Sequence, residues 1–128
     1  MKILTTYCSA QKDEQSGSLP AYQRYQSDRI KMVMARAEKQ DFPFMILSGM
    51  FGLIEFDQPL PYYDHLLKPF EVEQHANFVA IQIKEFNVTE IEFYSRSLEE
   101  DPNLQAYHNC ILTAGRMTGI QVSILIIQ

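Results

Sequence analysis

Three short clusters bring together side chains with the means for chemistry: Cys8-Ser9-Ala10-Gln11-Lys12, Ser48-Gly49-Met50-Phe51-Gly52 running on to Tyr62-Tyr63-Asp64-His65, and Ser95-Arg96-Ser97. Asp64 stands beside aromatic residues that would desolvate it and raise its pKa toward the range of a general base. Its competing role is a turn or cap ahead of Pro69. Lys12 and Arg96 supply positive charge for an anionic group, Ser9, Ser48 and Ser95 supply hydroxyls, and Gly49 and Gly52 permit close backbone approach. Phe51, Tyr62 and Tyr63 offer rings on which a base could stack. Taken singly, each has a plain structural role, since Ser and Gly after strands form turns and Phe51 suits a core. Cys8 becomes a nucleophile only where a neighbouring base or cation lowers its pKa. Lys12 is near in sequence, and a buried inert thiol is the competing role.

His65 could serve as a base or a metal ligand, but no second ligand stands at a recognised spacing. His75 and His108 fall in helical segments, and no metal is expected. Gly49-x-x-Gly52 lacks both the following Lys-Ser/Thr of a P-loop and the third glycine of a dinucleotide fingerprint. No Gly-x-Ser-x-Gly elbow occurs either. No cofactor is implied.

The elements that must position these clusters are legible in the hydrophobic pattern. Lys2 to Tyr7 reads as a first strand. Ser27 is a good N-cap for a helix in which Ile30, Val33, Met34 and Ala37 share a face and which ends near Gln40. Phe44 to Leu47, apolar throughout, suits a parallel strand covered on both faces. A long loop follows, and then a helix after Pro69 with Val72, Ala76, Val79, Ala80 and Ile83 on one side. Val88 to Tyr94 gives a third strand whose carboxylates Glu90 and Glu92 point away from Ile91 and Phe93. Asp101-Pro102 reads as the start of a third helix, with Leu104, Tyr107, His108, Ile111 and Leu112 on its apolar face. Gly119 closes that helix, and Ile120 to Ile127 makes a buried last strand. This β-α-β-α-β-α-β order implies right-handed crossovers and a three-layer α/β/α domain with a four-stranded parallel sheet. Loops at the carboxyl ends of parallel strands share one edge, so the three clusters above converge there.

A chain of 128 residues fits one domain, 1–128, able to bury roughly two-thirds of its unfolded surface. The charged share of 21% and apolar share of 46% exclude disordered and fibrous classes. A net charge of −5 argues against nonspecific nucleic-acid capture, which depends on Lys and Arg neutralising phosphates. The longest apolar run, Val122 to Ile127, falls far short of the ~20 residues of a membrane helix, so no membrane association is expected. Cys8 and Cys110 read as separate reduced thiols. Without an apolar leader, a cytoplasmic location is the expectation.

Cys8-Ser9-x-x-Lys12, Leu19-Pro20-Ala21 leading to Tyr25 and Ser27, Ile46-Leu47-Ser48-Gly49-x-x-Gly52-Leu53 and Tyr63-Asp64-x-x-Leu67 together resemble a bacterial and phage domain family of unknown function. The resemblance covers about the first half of the chain. The stretch from Leu47 to Tyr62 is similar, more distantly, to the YaaA family of peroxide-stress proteins. These likenesses imply the sheet order 2-1-3-4 of uracil-DNA glycosylase-like folds and of the related domain in archaeosine-type tRNA modification proteins. They also group Cys8, Ser9, Lys12, Ser48, Gly52, Tyr63 and Asp64. The first loop departs from a glycosylase, offering Cys-Ser-Ala-Gln-Lys where an acid or Asn is expected, which argues against uracil excision by that mechanism.

Three functional classes follow. The leading one is an enzyme or enzyme-like binding domain for a nucleobase, nucleoside or nucleotide, with Asp64 as base or ligand-orienting carboxylate, Lys12 and Arg96 on an anionic group, Ser48 and nearby amides on an oxygen, and Tyr63 or Phe51 stacking. The second is a noncatalytic module recognising nucleic acid or a partner through the same edge. The third is a small structural subunit that self-associates through the aromatic loop Phe51 to Tyr63. The acidic balance favours the first and third.

Overall fold

Two strands are buried on both faces and form the centre of the molecule: β1 (Lys2–Tyr7) and β3 (Phe44–Ser48). The computed structural model describes residues 1–127. β1 carries two fully buried threonines, and each hydroxyl finds a carbonyl on a neighbouring strand: Thr5 Oγ1 donates to Met45 O at 2.6 Å and Thr6 Oγ1 to Tyr94 O at 2.7 Å. Polar side chains are tolerated there because they add cross-strand bonds to the sheet.

After β1 the chain forms a two-residue strand β2 (Leu19–Pro20), a single turn α1 (Ala21–Arg24) and the helix α2 (Asp28–Gln40). Ser27 caps α2 as expected, its Oγ accepting from the amide of Ile30. β3 is followed directly by β4 (Gly52–Glu55) and then by β5 (Pro59–Leu60), which pairs antiparallel with β2. A 3-10 turn at Pro69–Glu71 leads into α3 (Val72–Glu85), then β6 (Glu90–Ser95), α4 (Leu104–Thr118) and β7 (Gln121–Ile126). Gly119, at φ 72°, ends α4 in the left-handed conformation expected of it.

The main sheet has five strands in the order β4-β3-β1-β6-β7. β3, β1, β6 and β7 run parallel, and β4 returns antiparallel along β3. The four-stranded sheet expected from the sequence is therefore corrected to five, and the strand order changes with it. Gly52-Leu53-Ile54, counted above with the long loop, folds back as a hairpin on β3, because Leu53 and Ile54 can bury their side chains only by extending the sheet. α2 packs on β1 and β3, while α3 and α4 pack on each other and on β4 and β7. Right-handed crossovers place α2 on one face and α3 with α4 on the other, giving three layers.

Two further expectations change. Asp101-Pro102 does not open α4: Asp101 Oδ1 accepts from the amide of Asn103 in a turn, and the helix begins at Leu104. The last strand is not buried, since β7 lies at the sheet edge with Leu125 and Ile126 exposed. Among the described residues no helix is long and apolar enough to cross a membrane.

Candidate functional site

The chain leaves β1 toward β3 on one side and returns across β1 to β6 on the other. The carboxyl ends of β1 and β6 thus bracket the point where strand order reverses, the usual ligand crevice of an open α/β sheet. A crevice of about 400 Å³ opens there, lined by residues from the loop after β1, the start of α2, the Asp64-His65-Leu66 segment, Arg96, and the start of α4.

At its floor lies Arg29, in the first turn of α2 and only 7% exposed. Its Nη1 donates to Thr6 Oγ1 at 2.7 Å and to Tyr7 O at 2.6 Å, and Nη2 reaches Cys8 O at 3.4 Å. The guanidinium stacks on Tyr7, with Cζ 3.5 Å from the ring centre. No carboxylate pairs with it among the described residues. Burial lowers its pKa to about 10, and the nearby positive charge of Arg96 pulls in the same direction. A cation in the first turn also opposes the helix dipole. That electrostatic conflict is the one signal in the sequence that marks Arg29, which the hydrophobic pattern of the helix leaves unmarked.

Lys12 is held over the crevice wall by backbone pairing. It bridges to Tyr25, the amide of Asp13 donates to Arg24 O at 2.7 Å, and that of Gln26 to Gln11 O at 2.9 Å. Its Nζ stands 4.9 Å from the Tyr63 ring centre. The loop that carries it is fastened by Arg24, fully buried, whose guanidinium donates to the carbonyls of Asp13, Gln15, Gly17 and Leu60. Nothing in the sequence marks Arg24, because a buried arginine that serves only carbonyls has no acidic partner to signal it.

Of the residues expected at the site, Cys8, Ser9, Lys12, Asp64 and Arg96 line this one crevice. Ser9 Oγ donates to Gln11 O at 2.6 Å, shaping the loop, and Arg96 makes an exposed ion pair with Glu100 at 3.8 Å. Asp64 is exposed at the rim. Of its aromatic neighbours, Tyr63 packs against Tyr25 and Phe51, and Tyr62 is itself exposed. Cys8 is buried, with Sγ 3.7 Å from the hydroxyl of Tyr107, which in turn accepts from the amide of Leu67.

Ser48, Gly49, Phe51, Gly52, Tyr63 and Ser95 are placed outside the crevice lining and serve the fold. Ser48 is fully buried, and its Oγ accepts from the amides of Met50 and Phe51 at 3.1 and 3.0 Å. With both lone pairs used, its proton goes to Tyr63, 2.8 Å away, which is bonded in turn to Tyr25. Burial raises the pKa of both phenols, with charge at Cys8 adding to the effect. Phe51 packs edge-on against Tyr63, with ring centroids 5.0 Å apart, and neither ring lines the crevice. Gly49 is hemmed in by the Tyr107 hydroxyl and the backbone of Leu67. Gly52 has φ +70°, and a Cβ there would run into the carboxamide of Gln82. Ser95 is buried against His108, Oγ to Nε2 2.7 Å. These residues shape the crevice from behind.

His65 pairs with Glu71 at 3.1 Å instead of standing free, and His75 bonds the carbonyl of Ser48. The carboxyl of Glu71 is held below its usual range chiefly by the amide of Lys68. Among the described residues no group of His, Cys, Asp and Glu has the arrangement of a metal site. No family model matches the chain, and no curated protein or solved structure matches it.

Proposed function

We propose that the crevice binds a small anion-bearing ligand of the nucleotide class, its anionic group held by Arg29, Arg96 and Lys12 at the start of α2. The observation that carries this is Arg29: a guanidinium almost wholly buried, facing a crevice, and in no ion pair among the described residues. A buried unpaired cation is costly, and an incoming phosphate or carboxylate offsets that cost through charge-assisted bonds. The N-terminus of α2 adds its dipole to the same point.

Asp28, Asp64 and Asp101 also line the crevice. Carboxylates beside a cationic floor suit a ligand that is anionic at one end and rich in N–H or O–H donors at the other. Asp64 is then an orienting carboxylate that accepts from a sugar hydroxyl or a base amine. The same acids disfavour a continuous phosphate backbone, so a small molecule is preferred to nucleic acid. Leu66 and Leu104, with Tyr7 and Tyr107, supply the apolar part of the lining for a base, in place of the stacking expected from Phe51 and Tyr63. Of the seven residues grouped by motif resemblance, Cys8, Ser9, Lys12 and Asp64 line this crevice, while Ser48, Gly52 and Tyr63 do not.

A thermal-shift screen of bases, nucleosides, nucleoside monophosphates and inorganic phosphate tests the proposal. A ligand at a hundred times its Kd stabilises the native state by about 2.7 kcal/mol. Monophosphates should raise Tm and their nucleosides should do so much less. Arg29→Gln and Arg96→Ala should each abolish the difference. No shift with any anion at millimolar concentration, or an equal shift in the Arg29→Gln protein, refutes it.

A further inference from the structure

The two edges of the main sheet are finished differently. On β4 the outward amide of Leu53 donates to Gln82 Oε1 at 2.7 Å, and Gln82 Nε2 donates to the carbonyls of Leu53 and Phe51 at 3.0 and 3.1 Å. One carboxamide from α3 therefore stands where the peptide group of a sixth strand would be, and Glu55 adds a charge at the strand end. Natural sheets close their edges by such devices.

β7 has none of them. Gln121–Ile126 holds no charge, no proline and no bulge, and pairs in register with all six residues of β6. The amide of Ile127 donates inward to Ser95 O at 2.8 Å. By the two-residue alternation of a strand, the N–H and C=O groups of Val122, Ile124 and Ile126 point outward. Among the described residues nothing bonds them. Beside the strand, Leu125 is 37% exposed and Ile126 50% exposed, and a groove between Met32, Arg36, Tyr94 and Ile126 runs along the α2 face.

We infer that β7 pairs antiparallel with β7 of a second copy of this chain, joining two five-stranded sheets into one. Unpaired backbone donors and acceptors in a row are recognised by another strand. A second copy fits because the outward groups of Val122, Ile124 and Ile126 are self-complementary about a two-fold axis, and because β7 carries none of the charge behind the chain's net −5 that would oppose such pairing. The register follows from the alternation. A two-fold axis through Ile124 sets Ile124 opposite its own copy and Val122 opposite Ile126, so outward groups meet outward groups in about six hydrogen bonds. On one face this brings β-branched side chains into direct cross-strand pairs. On the other, Leu125 lies opposite Ser123 of the second copy. Leu125 sits on that open face because its partner in β6, Tyr94, reaches Arg36 of α2.

Sedimentation equilibrium up to high micromolar loading tests this, together with hydrogen exchange. The expected result is a species of twice the 14.9 kDa chain mass. The amides of Val122, Ile124 and Ile126 should exchange at least about tenfold more slowly at high than at low loading. Leu125→Glu places like charges across the axis on an open face, and Ile124→Pro removes an outward donor while sparing the bonds to β6. Leu125→Glu should sediment as a folded monomer, and Ile124→Pro should agree wherever it folds. A wild-type monomer at all loadings, or a dimer that survives Leu125→Glu, overturns the inference.

Discussion

Replacing Arg24 with Met removes a charge that no ligand touches and nevertheless should loosen the site. Nη1 donates to Asp13 O at 2.6 Å and Gln15 O at 2.9 Å, Nη2 to Gly17 O at 2.5 Å and Leu60 O at 3.1 Å, and Nε to Leu60 O at 3.3 Å. Bonds to a charged donor contribute about 1.5–3 kcal/mol each, so a bare sum would exceed the whole stability of a domain this size. Two effects reduce the net loss. Desolvating the guanidinium already cost several kcal/mol, and once it is gone the exposed segment 13–18 can lift away and hydrate its carbonyls. Met preserves the apolar stem and its packing. The remaining loss is that of breaking a buried polar cluster, about 3–5 kcal/mol, equivalent to a fall in Tm of about 10–20 °C. Thermal and urea unfolding measure it. Trypsin under native conditions reports the local effect, because the bond after Lys12 is shielded while the loop is fastened and should be cut rapidly in the variant. If Tm fell by less than about 3 °C and Lys12 stayed resistant, the carbonyl clasp would not be what orders the loop.

Gln82→Ala should cost about 2–4 kcal/mol from its three bonds to β4, read by urea unfolding, and a loss below about 0.5 kcal/mol would mean that edge needs no seal. Burial lowers the pKa of His108 from 6.5, so below pH 6.5 the unfolded chain takes up a proton that the folded chain resists. Stability should therefore fall as pH drops below 6.5, and His108→Phe should flatten that limb of a pH series of melts; an unchanged slope refutes it. Cys110 is fully buried, with its pKa pushed up to about 12. Its alkylation at pH 8 should follow global unfolding in denaturant, and labelling of the native protein would contradict the packing of α4.

Composition and periodicity were sufficient for the helices and the parallel strands. Ile30, Val33 and Ala37, then Ala76, Val79 and Ile83, are buried as their 3.6-residue spacing requires, and Ser27 and Gly119 mark the ends that their backbone chemistry dictates. The carboxyl-edge rule brought Cys8, Ser9, Lys12, Asp64 and Arg96 to one crevice. Such signals are local, written in residue type and spacing along a single element. What the sequence could not decide depends on partners distant in the chain. Gly52-Leu53-Ile54 becomes a strand only because β3 has a free edge beside it and Gln82, 29 residues on, seals the far side. Phe51 and Tyr63 look like ligand-stacking rings until they are seen packed edge to face against each other. Arg29 reads as one more polar helix residue until α2 sets it against Thr6 and the carbonyl of Tyr7, with no carboxylate paired to it among the described residues. Buried charge and edge pairing are properties of the assembled layers, so tertiary structure alone decided them.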